Sequence, residues 1–403
     1  MRNRRLIYTA TFLRALANGM VGVLLAIYLT KLNLNVSQIG FIISTGLGGA
    51  ALTTLLATFW GDRVGRRWFL ISIAVVSAAG GMMATFTSKF TPMILVAFFG
   101  MLNGMGKDRG ASLVVETAIL PTLQTEKKRT QAFAWHTAMQ DLGQALGSIL
   151  AALPTVLSYF FHTSDIVSLK IPIGLYSLLL GMTALIYFCL SPDVEASASH
   201  SKPKLSQHSK HVLWKISSLF AIDSLAGGFL TSALLSYFFY ERFGVSAGSI
   251  GLLFFFARTL NALSHFGAAW LSKYIGLVNT MVFTHIPSSI FLMTVAFAPN
   301  FTVAAILFLL REAFVEMDVP TRQSYVMAIM KPETRTFAAG ITHVVRMAGW
   351  AVAPAFAGMF MHAFSLGIPL FIGAAMKILY DILLYTSFRK LKPPEEGGNT
   401  ESF

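Results

Sequence analysis

Hydrophobic residues along this 403-residue chain run in long stretches, without the short amphipathic periods of a soluble fold. Twelve stretches of about 18 residues or more stand near 6–30, 38–60, 68–87, 92–119, 131–155, 171–190, 213–240, 248–272, 278–298, 301–329, 337–361 and 368–387. About 20 apolar residues in a helix cross the hydrocarbon core of a bilayer, so each stretch predicts one span. The first is too long for a cleavable leader, and no small-residue cleavage site follows it. Polar residues collect between the stretches. The longest polar segment, 192–212 (SPDVEASASHSKPKLSQHSKH), divides the spans six and six. The pattern predicts an all-α membrane protein: twelve transmembrane helices in two pseudo-symmetric six-helix bundles. Residues 1–191 and 213–388 form the bundles, 192–212 a cytoplasmic linker and 389–403 a cytoplasmic tail.

Composition agrees with lipid as the main solvent, since charged residues make up 12% of the chain against about 25% in soluble domains. The net charge of +13 would raise nucleic acid as a partner if it were spread over a soluble surface. It is not spread. Nineteen loop Lys and Arg residues fall on one side of the twelve spans, among them Arg2, Arg4, Arg5, Lys127, Lys128, Lys202 and Lys390. The other side holds four: Lys31, Lys89, Lys170 and Arg242. Cytoplasmic loops retain positive charge, so both termini are expected in the cytoplasm, in a plasma or inner membrane, with no nucleic-acid partner. Asn35 and Asn300 then head glycosylation acceptor triplets in outward loops.

The chemistry available is limited. Cys189 is the single cysteine and forms no internal disulfide. His200, His208 and His211 in the linker lack cysteine neighbours, so no metal site is read there. No glycine-rich phosphate loop ending in Lys-Ser or Lys-Thr occurs, and no nucleophile clusters with a base. An enzyme and a bound cofactor are therefore not expected.

The halves repeat. At an offset of 209, Leu16, Ala17, Gly19, Leu25 and Tyr28 fall on Leu225, Ala226, Gly228, Leu234 and Tyr237, which sets Arg14 opposite Asp223. At an offset of 210, Asp108 falls on Asp318, and Arg129 and Thr130 meet Arg335 and Thr336. Gly40 and Gly251 open the second and eighth spans, with Gly65 and Gly276 each 25 residues on. A parallel duplication of six helices predicts a binding site near the membrane midplane.

Between spans two and three stands Gly61-Asp62-Arg63-Val64-Gly65-Arg66-Arg67. This resembles the cytoplasmic loop signature of the major facilitator superfamily: an acidic residue, a basic one, a turn glycine and a basic pair. The resemblance covers the whole chain and has four departures. Thr58 stands where the family has a glycine, and Lys273 replaces the aspartate of the second copy, "SKYIGLV". The arginine that many members carry in span four is absent from "MLNGMG", and Ser148 interrupts the antiporter signature after Gly143 and Gly147. The resemblance implies that spans 3, 6, 9 and 12 pack outside while the others line a translocation cavity. It also implies that Asp62, Arg63, Gly65, Arg66 and Arg67 control conformational exchange.

An ionisable side chain in a span costs roughly 2.5–3.5 kcal/mol on insertion scales, so each needs a partner or a wet cavity. Arg14, Lys107, Arg109, Arg258, Arg311, Arg322, Arg346 and Lys377 face Asp108, Glu116, Asp141, Asp223, Glu312, Glu316, Asp318 and Asp381 in equal number. Lys377 and Asp381 stand four apart and are placed to pair with each other. Arg14 and Asp223 form either a gate across the halves or part of a substrate and proton site. Asp108, Arg109, Asp318 and Arg322, near the ends of spans four and ten, are read as gates. Asp223, Glu312 and Glu316 are the proton-coupling candidates.

Helical spacing aligns Arg258 with Asn261 and His265, His136 with Gln140 and Gln144, His343 with Arg346 and Trp350, and Arg14 with Asn18. From these come the substrate-cavity candidates: Arg14, Asn18, Gln140, Arg258, Asn261, His265, Arg311, Arg346 and Trp350. The expected function is alternating-access transport of a small organic solute by a monomer in the lipid bilayer, as proton-coupled export of a drug-like compound or metabolite. Proton-coupled uptake of an organic anion, or sensing on a transporter-like scaffold, is the alternative.

Overall fold

A computed structural model of the chain describes residues 2–123, 129–195, 207–317 and 335–388, and every described secondary-structure element is helical. The helices, in order, are α1 (Arg2–Lys31), α2 (Val36–Val64), α3 (Arg66–Phe86), α4 (Phe90–Gly100), α5 (Ala111–Ile119), α6 (Arg129–Leu150), α7 (Leu153–Phe161), α8 (Asp165–Phe188), α9 (Gln207–Phe229), α10 (Ser232–Phe243), α11 (Ala247–Ile275), α12 (Leu277–Val295), α13 (Phe301–Val315), α14 (Arg335–Ala363) and α15 (Ile368–Phe388). Among the described residues, ten helical stretches are long and apolar enough to cross a membrane, and Phe90–Gly100 and Ala111–Leu123 are shorter apolar pieces. Large apolar side chains such as Phe86, Phe266 and Trp214 are exposed, as lipid contact requires.

Local signals explain most boundaries. Asn35 starts α2 with a capping box: its side chain accepts from Gln38 N while the Gln38 side chain accepts from Asn35 N, both at 3.0 Å. Gly65, in the glycine-favouring region at φ +96°, ends α2 and allows α3 to begin at the next residue.

Three expected spans are broken, which hydropathy did not foresee: the fifth, α6 and α7, only at 151–152, and two others more widely. The fourth is α4 and α5, separated by 101–110, because four glycines (Gly100, Gly104, Gly106 and Gly110) lower helix propensity by about 1 kcal/mol each. Asn103 stabilises the break by donating to Met101 O at 2.9 Å and accepting from Met105 N at 3.1 Å. The seventh is α9 and α10, with Thr231 capping α10 through Leu234 N. Backbone freed at membrane depth must find partners inside the protein. Here Ala233 N donates to Gly104 O at 2.9 Å, and Ser232 Oγ to Met105 O at 3.1 Å.

Two compact units result. One comprises Met1–Ser199, Leu230–Phe255 and Ala351–Leu366, and the other His200–Phe229, Phe256–Trp350 and Gly367–Phe403. This division differs from one made at the linker, because segments 230–255 and 351–366 pack within the first unit through small residues. A Cβ added to Gly40 would meet Gly358 Cα at 2.9 Å, and one on Gly251 would press on Ser148 O. Ala355 N donates to Ser44 Oγ at 2.8 Å. The first unit has a core around Ile7, Leu70, Val115 and Tyr187, and the second around Phe220, Met281, Tyr380 and Leu384.

Candidate functional site: two buried ion clusters

In the first unit the cluster centres on Arg14, buried on α1. Its Nε donates to Asp108 Oδ2 at 2.5 Å. Its Nη1 and Nη2 reach Glu116 Oε1 and Oε2 at 3.0 and 2.6 Å, a two-pronged contact that fixes the guanidinium plane. Nη1 also contacts the Tyr187 hydroxyl, which donates to Glu116 Oε1 at 2.7 Å. Thr11 Oγ1 donates to Glu116 Oε2 at 3.0 Å, and His136 Nε2 lies 3.0 Å from the same oxygen. Glu116 is 0% exposed. Asp108 reaches Arg14 from the non-helical stretch 101–110, so the glycine break is part of the site.

In the second unit the cluster centres on an anion. Asp223 Oδ1 accepts from Lys377 Nζ at 3.0 Å, and its Oδ2 lies 3.3 Å from Arg346 Nη2. Arg346 stacks over Trp350, 4.9 Å from the ring centre, and over Phe220 at 5.6 Å. Lys377 Nζ is 3.4 Å from His285 Nε2, and His285 Nδ1 is 2.9 Å from Asp381 Oδ1. Lys377 on α15 thus bonds Asp223 on α9, while Asp381, which helical spacing had placed as its partner, lies 2.9 Å from His285 on α12. Likewise, Arg14 is satisfied inside its own unit by Asp108 and Glu116, and Asp223 inside its own by Lys377 and Arg346. A smaller group joins Arg311 to Glu312, whose Oε2 accepts from Asn261 Nδ2 at 2.8 Å.

Outside the clusters, Asp62 Oδ1 in the last turn of α2 accepts from Arg66 Nε at the start of α3 at 2.8 Å. Glu195, which residue patterns did not single out, caps α3: its carboxylate accepts from Arg66 N at 2.6 Å and Arg67 N at 3.2 Å. Arg67 donates to Phe188 O at 2.7 Å, and Arg63 is exposed. Asn18, Gln140, Arg258, His265 and Glu316 are half-buried, as is Arg109. Asp318 and Arg322 lie outside the described residues, as do the side chains of Arg129, Thr130, Arg335 and Thr336. Glu116, His136, Tyr187, His285, Lys377 and Asp381 are the cluster members that were not picked as site residues. For Glu116, Lys377 and Asp381 the equal numbers of intramembrane cations and anions, and for the last two their spacing of four, signalled that they had partners; for Tyr187 and His285 no residue pattern did.

Long apolar helices that carry enclosed ion clusters define an integral, multi-pass membrane protein. The chain belongs to the Major Facilitator Superfamily, whose family profile matches residues 7–310 and 216–403. A curated relative, the uncharacterized membrane protein YJR124C of Saccharomyces cerevisiae, is 26% identical over 96% of this chain and 94% of its own length. The fold is similar to that of the nucleoside transporter NupG (TM-score 0.76, 14% identity, 96% of this chain and 100% of that one). It is also similar to a D-xylose-proton symporter (TM-score 0.74, 15% identity, 98% of each chain). Family and fold make this a transporter and not an enzyme.

Proposed function

We propose that the protein is a proton-coupled secondary transporter that exports a small organic solute by alternating access. The observation that carries this reading is Asp223, 4% exposed and held between Lys377 and Arg346. A buried carboxylate between two cations is stable as the anion, and it accepts a proton when a conformational change draws a cation away. Proton uptake is then tied to the rearrangement that moves the solute. Glu312 and Glu316 are the rival carboxylates, and Glu312 already has Arg311 and Asn261 as partners. Asn18 and Gln140 in the first unit, and Arg258, His265 and Trp350 in the second, are the candidate solute contacts.

The reading includes twelve spans in two six-helix bundles with both termini cytoplasmic, α4 with α5, α6 with α7 and α9 with α10 each supplying one span. On that topology, segments 230–255 and 351–366 are outer ends. Their packing against Gly40, Ser44, Gly104 and Ser148 in the first unit then seals the outer side. Asp62 and the arginines of its loop belong to the cytoplasmic side, where breaking and remaking their bonds accompanies the change of state. Uptake of an organic anion asks for a guanidinium open to solute. Arg14 commits all three nitrogens to Asp108, Glu116 and Tyr187, which leaves Arg258 as the guanidinium for that alternative.

The test is flux into proteoliposomes holding the full-length protein, with a panel of cationic amphiphiles, nucleosides, pentoses and organic anions under proton gradients of either polarity. The reading expects proton-driven accumulation of a panel member against its gradient, lost in Asp223→Asn while solute exchange without a gradient persists. Accumulation that ignores the proton gradient, or binding without flux, contradicts it.

A further inference from the structure

Glu116 cannot take up a proton where it sits. Its Oε1 accepts from Arg14 Nη1 and the Tyr187 hydroxyl, and its Oε2 from Thr11 Oγ1 and Arg14 Nη2, with His136 Nε2 as a third neighbour at 3.0 Å. A carboxylate offers about four lone-pair positions, so a proton on either oxygen would evict a donor into a 0% exposed site. Asp108 is held by Arg14 Nε at 2.5 Å. Two buried carboxylates thus face one guanidinium. Among the described residues, Arg14 and His136 are the cationic side chains in bonding contact with either carboxylate.

The charge of the cluster is therefore set by one ring. With His136 neutral, the cluster holds one negative charge more than its cations balance. With His136 as imidazolium it is neutral. An unbalanced charge in a medium of low dielectric is far costlier than a protonated imidazole beside a carboxylate, and histidine is the side chain that exchanges its proton near neutral pH.

We propose that His136 is a proton-binding site of the first unit: in this conformation it is the imidazolium that completes the Arg14–Asp108–Glu116 cluster, and it is the member that releases a proton when the cluster opens. Its direct partner is Glu116 on α5, and through Glu116 it is joined to Arg14 on α1, Tyr187 on α8 and, by way of Arg14, Asp108 on the 101–110 stretch; Tyr8 on α1 bonds Ala132 O elsewhere on α6. Lys107 and Arg109 flank Asp108 in the chain and Asp141 follows on α6; all three are engaged in interactions of their own. This deepens the proton-coupled reading by naming a proton carrier in the first unit, distinct from Asp223.

The experiment is nitrogen NMR of the full-length protein in lipid nanodiscs with labelled histidine, without any solute, the His136 signal being the one lost in His136→Gln. At neutral pH the wild-type ring is expected to show both nitrogens protonated. Asp108→Asn removes one negative charge and is expected to turn the same ring neutral. A neutral ring in the wild type overturns the proposal, and so does an imidazolium that persists in Asp108→Asn. Because no transport is measured, a solute flux without protons would refute the proton-coupled function and leave this result standing.

Discussion

In the first unit a cation stands at the centre and two carboxylates surround it; in the second a carboxylate stands at the centre and two cations surround it. At an offset of 209 along the sequence, Arg14 aligns with Asp223, a cation with an anion. The contacts differ as well. Those around Glu116 run from 2.6 to 3.0 Å with several donors. Those of Asp223 with Lys377 and Arg346 are 3.0 and 3.3 Å, one cation at each oxygen. A saturated anion has no oxygen open to a proton, whereas one held by two cations on separate helices gains an open oxygen once either cation is drawn away. The comparison sets a carboxylate saturated with donors in the first cluster against one held by two cations in the second.

Removing the central residue of the first cluster is the strongest way to break that contrast. Arg14→Met leaves Asp108 and Glu116 buried without their shared cation, and a loss of about 3–5 kcal/mol is expected in denaturant unfolding of the purified protein. An unchanged unfolding midpoint would mean that the cluster is hydrated and the charge argument fails. Lys377→Met is the milder counterpart, because Asp223 keeps Arg346. A cost of about 1–3 kcal/mol is expected, and a cost equal to that of Arg14→Met would erase the distinction between the clusters. Smallest is Glu195→Gln, outside both. It weakens a helix N-terminal contact by about 0.3–1 kcal/mol, read as faster amide hydrogen exchange at Arg66 and Arg67 with no change at Arg14 or Asp223. Faster exchange throughout the first unit would show that the loop supports the cluster after all.

Sequence patterns were sufficient for the class of fold, because lipid demands long apolar helices and hydropathy measures that demand directly. They also located the central pair, since Arg14 and Asp223 stand out as charges deep in apolar runs. The neighbours were hidden for a physical reason. Tyr187 lies 173 residues from Arg14 and Asp223 lies 154 from Lys377, so no helical period connects them. Helix spacing pointed Lys377 at Asp381 and gave no sign of Asp223 or His285. The break at 101–110 was written in its glycines, but mean hydropathy averages over such a feature. Glu195 sits in a polar stretch where any acidic residue reads as solvated. Its role depends on the N-terminus of α3 being close by.

The most direct test of the central contrast is infrared difference spectroscopy of the full-length protein in lipid as pH is stepped downward, following the protonated-carboxyl stretch. A band that appears in the wild type and vanishes in Asp223→Asn, while remaining in Glu116→Gln, is the predicted result. A band that survives in Asp223→Asn and vanishes in Glu116→Gln would contradict the account.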